Sequence, residues 1–253
     1  GNTVGGTAFK GYIDDLAISN YAKYTNEFSV SDISNEGKNI LYSTFDSALS
    51  MRYGHEEGDI VDIITGDAFE NKADNIYITD TMAKFGGRSA YFSGITDQRL
   101  NKTSPELNFG TSDFTIEMWV YPEEQTMSWP ILVGAEGNND FMLYLKGFSG
   151  EGNISFYTAA GDLINTNKKY TANKWTHYAV VRKDGVFTLF EDGKVIGTTG
   201  SYKTTNVNIS NFSIGGNTVG GTAFKGYIDD LAIFNYAKYT GEFIVSNKPS
   251  GIK

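Results

Sequence analysis

One segment of this chain occurs twice. Residues 1–31 reappear as residues 216–246, at an offset of 215 positions and with three differences. A repeat with this period is the size of a whole domain, which excludes the short structural units of solenoid proteins. The sequence therefore predicts one complete domain preceded by the last segment of an identical one. The three differences are Ser19/Phe234, Asn26/Gly241 and Ser29/Ile244.

The duplication also sets the predicted domain boundaries. Residues 1–31 are the C-terminal strand segment of a preceding repeat, residues 32–38 are a polar linker, and residues 39–253 form the complete domain. Phe234 and Ile244 are apolar where the first copy has serines, which indicates that the second copy is packed into its own domain. Neutral drift between repeats is the alternative explanation.

The composition narrows the fold class and the kinds of partner. The chain has 17 Phe, 16 Tyr and 29 Gly but only 4 Pro, a mixture typical of strands joined by tight turns. The formal net charge of −9 argues against nucleic acid or an anionic membrane as a partner, because both require a basic footprint. Cysteine is absent, so there is no disulfide framework, and no apolar run is long enough for membrane insertion.

Short alternating segments and turn signals predict an all-β fold. In residues 113–121 apolar side chains alternate with polar or aromatic ones, which is typical of a strand with one buried face. Two Asp-Gly pairs predict hairpin turns within a three-strand meander over residues 175–198. Residues 47–83 read as a long irregular acidic connection, and residues 236–240 as one short helical turn. The other predicted strands are 40–45, 88–93, 131–133, 141–145, 154–158, 212–214 and 227–234.

Five motifs, in this order along the chain, carry a family resemblance. They are LYSTFD (41–46), GGRSAYFSG (86–94), DFTIEMWVYP (113–122), KWTHYAVVRKDGVFTLFEDGKVIGT (174–198) and FSIGGN with GYIDDLAIFNYA (212–237). Together they resemble the laminin-G-like branch of the concanavalin A-like lectin/glucanase jelly rolls. The resemblance implies a two-sheet antiparallel jelly-roll sandwich with its termini on adjacent strands. It leaves function open, since this fold hosts lectins, hydrolases, adhesion modules and spacers.

The sequence does not predict an enzyme. Glucanases of this superfamily carry an E-x-D-x-x-E pattern on one strand, and retaining glycoside hydrolysis requires two carboxyl groups close together. Glu117 lacks such a partner two residues away, and the neighbours Asp229 and Asp230 are expected on opposite faces of a strand. His177 lies within a predicted strand and is expected to be structural. The prediction is therefore a non-catalytic protein.

A structural calcium ion is one candidate cofactor. The resemblance implies such a site where the first and last strands meet, and Ca²⁺ takes six to eight oxygen ligands. Asp46 ends the first strand, while Asp229 and Asp230 begin the last, so these three are the candidate metal ligands. The alternative is that these aspartates stabilise turns and solvate the surface.

A glycan site is the other candidate, with an aromatic platform and polar loop side chains. Trp129 lies in a loop-like context and is the leading platform residue, and Asn139 and Asp140 belong to the next loop. Tyr121 and Tyr157 are expected to line a sheet face beside Trp119. Trp119 and Trp175 read instead as packing residues, and Tyr-rich surfaces also suit protein partners.

These expectations define one leading function and two rivals. The leading prediction is a binding and adhesion module for a glycan or cell-surface polysaccharide, within a tandem array located outside the cell, on its surface or in a virion such as a phage tail. A purely structural protein of a virion, fibre or surface array is the first rival, with self-association through residues 1–31 by strand pairing or swapping. A glycan hydrolase is the second rival.

Overall fold

Two antiparallel sheets hold nearly all the strands in the described part of this protein. The computed structural model describes residues 39–43, 60–62, 64–73, 75–137, 140–146, 152–219 and 222–250, all within the unit Gly37–Ile252. Within these ranges there is no α-helix, and no helix is long and apolar enough to cross a membrane. The predicted all-β sandwich is confirmed. The boundaries predicted for residues 1–31 and 32–38 lie outside the described residues.

The first sheet has eight strands in the described part of the chain. Its order is β14-β13-β12-β7-β17-β4-β3, and β1 also pairs with β17. These strands are β1 (Asn39–Ser43), β3 (Tyr77–Thr79), β4 (Ser89–Ser93), β7 (Phe114–Pro122), β12 (Thr176–Lys183), β13 (Val186–Glu191), β14 (Lys194–Ser201) and β17 (Lys225–Phe234).

The second sheet has seven strands over the same ranges, in the order β11-β10-β9-β8-β16-β5-β2. A two-stranded ribbon, β15 with β6, and a 3₁₀ helix at Pro105–Leu107 complete the described elements. The strands are β2 (Glu70–Lys72), β5 (Arg99–Thr103), β6 (Asn108–Gly110), β8 (Ile131–Ala135), β9 (Phe141–Lys146), β10 (Asn153–Thr158), β11 (Gly161–Lys169), β15 (Val207–Asn208) and β16 (Asn211–Ile214).

The core lies between the sheets and follows the predicted alternation. On β7 the inward side chains belong to one large buried cluster with residues of both sheets. The hairpin turns also form as predicted, because Asp184, Gly185, Asp192 and Gly193 all have φ between 47° and 79°. Positive φ at both central positions is what two-residue hairpins of type I′ require. The inward side chains of β7 are Phe114, Ile116, Met118 and Val120.

Six strands were not predicted, and the sequences of three show why. β2 and β3 lie inside the segment 47–83, which was predicted to be irregular, while β5, β6, β11 and β15 lie outside every predicted strand. β2, β5 and β11 are mostly polar (ENK, RLNKT and GDLINTNKK), so they lack the apolar alternation that marks a strand. The predicted helical turn at 236–240 is wrong, because the chain there is bent but not helical.

After β17 the chain crosses the outer face of the first sheet, the face that points away from the core. Tyr239 and Phe243 stack on each other with ring centroids 3.5 Å apart, and both rings contact Phe190 of β13. We call residues 235–250 the C-terminal strap. The expectation that the second repeat copy is packed holds for Phe234, which is 5% exposed, but is wrong for Ile244, which is 98% exposed.

Candidate functional site

Across one end of the first sheet, on its outer face, runs a line of aromatic side chains. The residues directly opposite one another in register are Tyr77 with Tyr91, Tyr91 with Tyr227, and Tyr227 with Tyr121. Trp175, just before β12, continues the line beyond Tyr121. All five are half-buried, so each keeps part of its surface in contact with solvent. We call these five residues the aromatic row.

Neighbouring rings of the aromatic row are in contact. From Tyr77 to Trp175 the successive ring centroids are 5.2, 4.8, 5.8 and 5.6 Å apart. The rings are inclined to one another by 49°, 51°, 79° and 61° in the same order. Tilted and edge-to-face contacts at these distances are the favoured geometries for aromatic pairs. The row is therefore a continuous apolar strip, but it is not a flat one.

Gly226 brings β17 close enough to β7 for this contact. Its φ is 138°, and a Cβ atom at this position would lie 2.3 Å from the Tyr121 carbonyl oxygen. Only glycine fits both the backbone conformation and the space. The next residue, Tyr227, can therefore reach the rings on the strands at either side.

Charged groups border the row. The Glu123 carboxylate lies near Tyr91, and the Lys225 Nζ lies 3.2 Å from that carboxylate. Partial burial, together with Glu123, raises the pKa of Tyr91 to about 12. Burial likewise raises the pKa of Tyr227. Gln125 holds this corner in place, because its side-chain amide exchanges two hydrogen bonds with the Lys225 backbone, at 2.6 and 2.9 Å.

The strap covers the middle of the same outer face. Beneath it, Glu117 of β7 is fully buried, and its two oxygens accept hydrogen bonds from Lys238 Nζ at 2.5 Å and Tyr239 Oη at 2.6 Å. Burial opposes ionisation of Glu117, but Lys238, His177 and the two hydrogen bonds outweigh it and lower the carboxyl pKa. Glu117 therefore binds the strap to the sheet.

His177 and Trp119 lie between the strap and the aromatic row. His177 is 2% exposed, and its Nε2 is 3.9 Å from Glu117. Burial lowers the pKa of His177 to about 4 despite that carboxylate. Trp119 packs edge-on against Phe85, and the Lys84 ammonium lies 3.6 Å from its ring centroid. Both residues are buried packing groups.

Asp229 and Asp230 do not lie on opposite faces as predicted. Asp230 has φ of 51°, and the register of β17 against β7 shifts here, so a bulge inserts an extra residue and turns the strand. Asp229 accepts N–H bonds from Lys84 and Phe85 at 2.8 and 3.0 Å. Asp230 accepts the Ser250 N–H of the strap at 2.7 Å. Both carboxylates therefore tie covering segments to the sheet.

Of the three predicted calcium ligands, only Asp229 and Asp230 belong to the described residues. The first and last strands do meet here as predicted, since Ser43 of β1 pairs with Leu231 beside Asp230. Asp46, however, lies outside the described residues, and within them there is no cluster of three or more potential ligands. The oxygens of Asp229 and Asp230 already accept backbone N–H bonds, so these two carboxylates alone do not form a Ca²⁺ site. Calcium binding stays a prediction.

The predicted glycan residues divide into two separate groups. Tyr121 belongs to the aromatic row, and the segment carrying Trp129, which is 50% exposed, leaves the first sheet directly after it. Asp140 lies at the far end of β8, roughly 17 Å along that strand. Tyr157 pairs with Met142 in the second sheet and points away from the core. Tyr121 and Tyr157 therefore lie on opposite outer faces, which corrects the expectation that they share one. Asn139 lies outside the described residues.

Sequence reasoning did not find four members of the aromatic row. Trp175 was interpreted as a packing residue, and the tyrosines at 77, 91 and 227 were not singled out. The three tyrosines lie on different strands, Trp175 lies just before a fourth, and only the cross-strand register brings them together. The available signal was that each tyrosine occupies an outward position in its strand next to β-branched or small residues.

Comparison with solved structures shows the fold. Domain 4 of AbnA, a GH43 extracellular arabinanase from Geobacillus stearothermophilus solved with arabinotriose, is 20% identical, with a TM-score of 0.58 over 80% of this chain and 94% of that one. The binding domain of Paraclostridial Mosquitocidal Protein 1 is 18% identical (TM-score 0.56; 77% of this chain, 50% of that one). The botulinum neurotoxin serotype G binding domain is 14% identical (TM-score 0.56; 80% and 49%). The chain thus spans about half the length of these two toxin domains.

Sequence comparison shows the family. No curated protein sequence matches the chain. The family model described as the concanavalin A-like lectin/glucanases superfamily matches residues 96–242, which is more than half of the chain. Both the match and the two-sheet sandwich place the protein in the group that the five sequence motifs indicated. The chain belongs to the concanavalin A-like lectin/glucanase superfamily.

Proposed function

We propose that this domain is a non-catalytic glycan-binding module and that the aromatic row is its binding surface. The carrying observation is the row itself: half-exposed rings in contact across four strands, bordered by the Glu123–Lys225 pair. Sugar rings have an apolar face of C–H groups and an edge of hydroxyls. Aromatic rings pack against the apolar face, and charged or amide groups form hydrogen bonds with the hydroxyls. Most ligand sites likewise combine aromatic and apolar side chains with a small number of polar groups.

Two further points support this proposal. The arabinanase domain with the same fold was solved in complex with arabinotriose, an oligosaccharide. In this chain, the carboxylate at the centre of the sheet face is buried under the strap and bonded to Lys238 and Tyr239, which leaves it no access to a substrate. A module of this kind serves an extracellular, cell-surface or virion protein that attaches to polysaccharide.

The test is a glycan and polysaccharide array probed with the full chain and three variants. Tyr121→Ala removes an inner ring of the row, and Trp175→Ala removes an end ring outside the strands, where folding is least at risk. Tyr157→Ala is the matched control, because it removes a half-exposed tyrosine from the opposite outer face. We expect binding by the wild type and Tyr157→Ala, with strong loss in both row variants. A folded wild type that binds no glycan would overturn the proposal.

Two predicted sites are tested in the same array. Trp129→Ala shows whether this exposed tryptophan of the loop after β7 belongs to the binding surface, and unchanged binding would exclude it. Repeating the array with a chelator tests the proposed structural calcium at Asp46, Asp229 and Asp230. Loss of binding that added Ca²⁺ restores would support the metal, and unchanged binding and thermal stability would contradict it.

The repeated segment supports a second candidate function, assembly with other copies. The strap residues Lys238, Tyr239 and Phe243, which hold the second copy against the sheet, recur in the first copy as Lys23, Tyr24 and Phe28. The first copy therefore carries the side chains that fit this surface. Sedimentation equilibrium of the full chain would show a mass that rises with concentration, and a Tyr24→Ala variant would lower it. A constant monomer mass would contradict assembly through this segment.

A further inference from the structure

We infer that the ligand of the aromatic row is a single extended chain of an uncharged polysaccharide, lying across strands β3, β4, β17 and β7. This inference rests on the proposed function and adds the class of ligand and its direction. It predicts that one sugar unit contacts each ring of the row.

The spacing fits a linear polymer rather than a terminal sugar. The rings follow one another at 4.8 to 5.8 Å, because each tyrosine stands on the next strand of the sheet. Strands lie about 4.8 Å apart, which is close to the length that one pyranose ring adds to an extended polysaccharide. A chain running across the strands therefore meets a new ring with every sugar. A pocket for one terminal sugar would instead need rings and polar groups that converge on a point.

The inclination of the rings selects a single chain rather than a flat surface. Successive rings are inclined by at least 49°, so no two neighbours form a common plane. A crystalline polysaccharide surface is flat and would touch only the outermost edge of each ring. A single chain in solution can rotate about each glycosidic bond, so that successive sugars follow the change in angle from ring to ring.

The charges around the row favour an uncharged ligand. The row itself consists of tyrosines and a tryptophan, whose side chains are uncharged at neutral pH. Lys225 is paired with Glu123, Lys174 beside Trp175 is paired with Asp192, and the chain has a net charge of −9. A polyanion would be repelled by this net negative charge. Paired groups can still exchange hydrogen bonds with sugar hydroxyls.

The row has two defined ends, which limit the length of chain that it binds. Tyr77 stands on β3, the last strand on that side of the sheet within the described part of the chain. Beyond Trp175 the next turn, at Gly193, is covered by the strap, since the Phe243 N–H bonds the Gly193 carbonyl at 3.0 Å. The exposed strip thus ends on both sides. We expect four or five sugar units to fill it, one for each ring.

The test measures affinity against chain length by calorimetry, using the full chain. The probes are cello-, xylo-, manno- and arabino-oligosaccharides of one to six units, with polygalacturonate as the charged probe. We expect affinity for at least one neutral series to rise with each added unit up to four or five and then to level off. Tyr77→Ala removes an end ring and is expected to weaken the longest oligomers about tenfold, or about 1.4 kcal/mol, while leaving dimers unchanged. Tyr121→Ala is expected to weaken all lengths.

The outcomes separate this inference from the function on which it rests. Equal affinity for one unit and for six would show recognition of a terminal sugar, which overturns the inference and leaves glycan binding intact. Tight, salt-sensitive binding of polygalacturonate alone would overturn the uncharged class. Absence of binding to every glycan by the folded wild type would remove the proposed function, and the inference with it.

Discussion

The outer face of the first sheet has two halves that are built from the same strands and differ in what covers them. On β7, Glu117 and Tyr121 are only four residues apart and point the same way, yet Glu117 is fully buried and Tyr121 is half-exposed. The C-terminal strap lies over the first and leaves the second uncovered. Segments outside the sheet therefore decide which side chains stabilise the fold and which remain available for a ligand.

The largest expected effect in the covered half comes from Glu117→Gln. The substitution leaves the Lys238 ammonium, which is 19% exposed, without its carboxylate. Breaking a buried ion pair by removing one partner costs about 3–5 kcal/mol. We expect a loss of this size in the free energy of unfolding measured with urea. Glu124→Gln, at an exposed position, is the control and should change nothing. A loss below about 1 kcal/mol would show that the strap does not depend on this pair.

Phe234→Ser tests which of the three differences between the repeat copies affects the stability of the fold. Phe234 is buried, packs against Tyr236 and lies 4.4 Å from the Lys238 ammonium, so its loss is expected to cost about 3 kcal/mol of unfolding free energy. Ile244→Ser introduces the first copy's residue at a position that is 98% exposed and should be neutral. Gly241→Asn should be neutral as well, because a Cβ there meets no atom within 4 Å. Equal effects of the three would contradict this assignment.

The buried histidine predicts a dependence of stability on pH. Its pKa of about 4 in the folded protein lies below the ordinary value of 6.5. Between these values the unfolded chain binds the additional proton, so the histidine contributes stability above pH 6.5 and loses it as the pH falls to 4. The full difference is roughly 3 kcal/mol. The free energy of unfolding should be measured with urea for the wild type and for His177→Gln at several pH values. The value for the wild type minus that for the variant should increase as the pH rises from 4 to 6.5.

Comparing the wild type with His177→Gln isolates the effect of the histidine, because the contribution of Asp229 to stability has the opposite dependence on pH. Burial raises its pKa to about 7, so it stabilises the folded state most below pH 3.8 and loses that contribution as the pH rises through 7. Asp229 is present in both proteins and cancels in the difference. A separation that does not change between pH 4 and 6.5 would contradict the buried, neutral histidine.

The smallest expected effect on stability is in the uncovered half. Tyr121→Ala removes two aromatic contacts, to Tyr227 and Trp175, each of which contributes up to about 1 kcal/mol across strands. We expect a loss of about 1–2 kcal/mol in unfolding free energy together with loss of glycan binding. A loss as large as that of Glu117→Gln would mean that the row serves the fold in the same way as the covered half.

The sequence predicted the parts of the fold that depend on neighbouring residues. Alternation identified β7, and the Asp-Gly pairs identified the β12–β13 and β13–β14 hairpins, because both signals come from local backbone geometry. The bulge at Asp230 was not predictable, because positive φ at an aspartate in a strand is set by the bonds from Ser250 and the neighbouring strands. That bulge is why the assignment of the two aspartates to opposite faces is wrong.

The candidate site depends on contacts between distant residues and was predicted only in part. Tyr121 was selected correctly as part of a sheet face, but its partners at 77, 91 and 227 are joined to it only by strand order and register. Burial beneath the strap is equally non-local. The sequence showed only that Glu117 lacks a carboxylate partner on its strand, whereas Lys238 and Tyr239, more than 120 positions later, enclose it.

The pairing of the first and last strands has a mechanical consequence. Asn39 at the start of β1 lies opposite Phe234 at the end of β17, so these two strand ends lie side by side. Tension applied through these two points would load the hydrogen bonds of the β1–β17 pair one at a time instead of all together. A strand pair loaded in this way separates at lower force than one whose hydrogen bonds are loaded together, and the first core residue it would expose is Leu41 of β1.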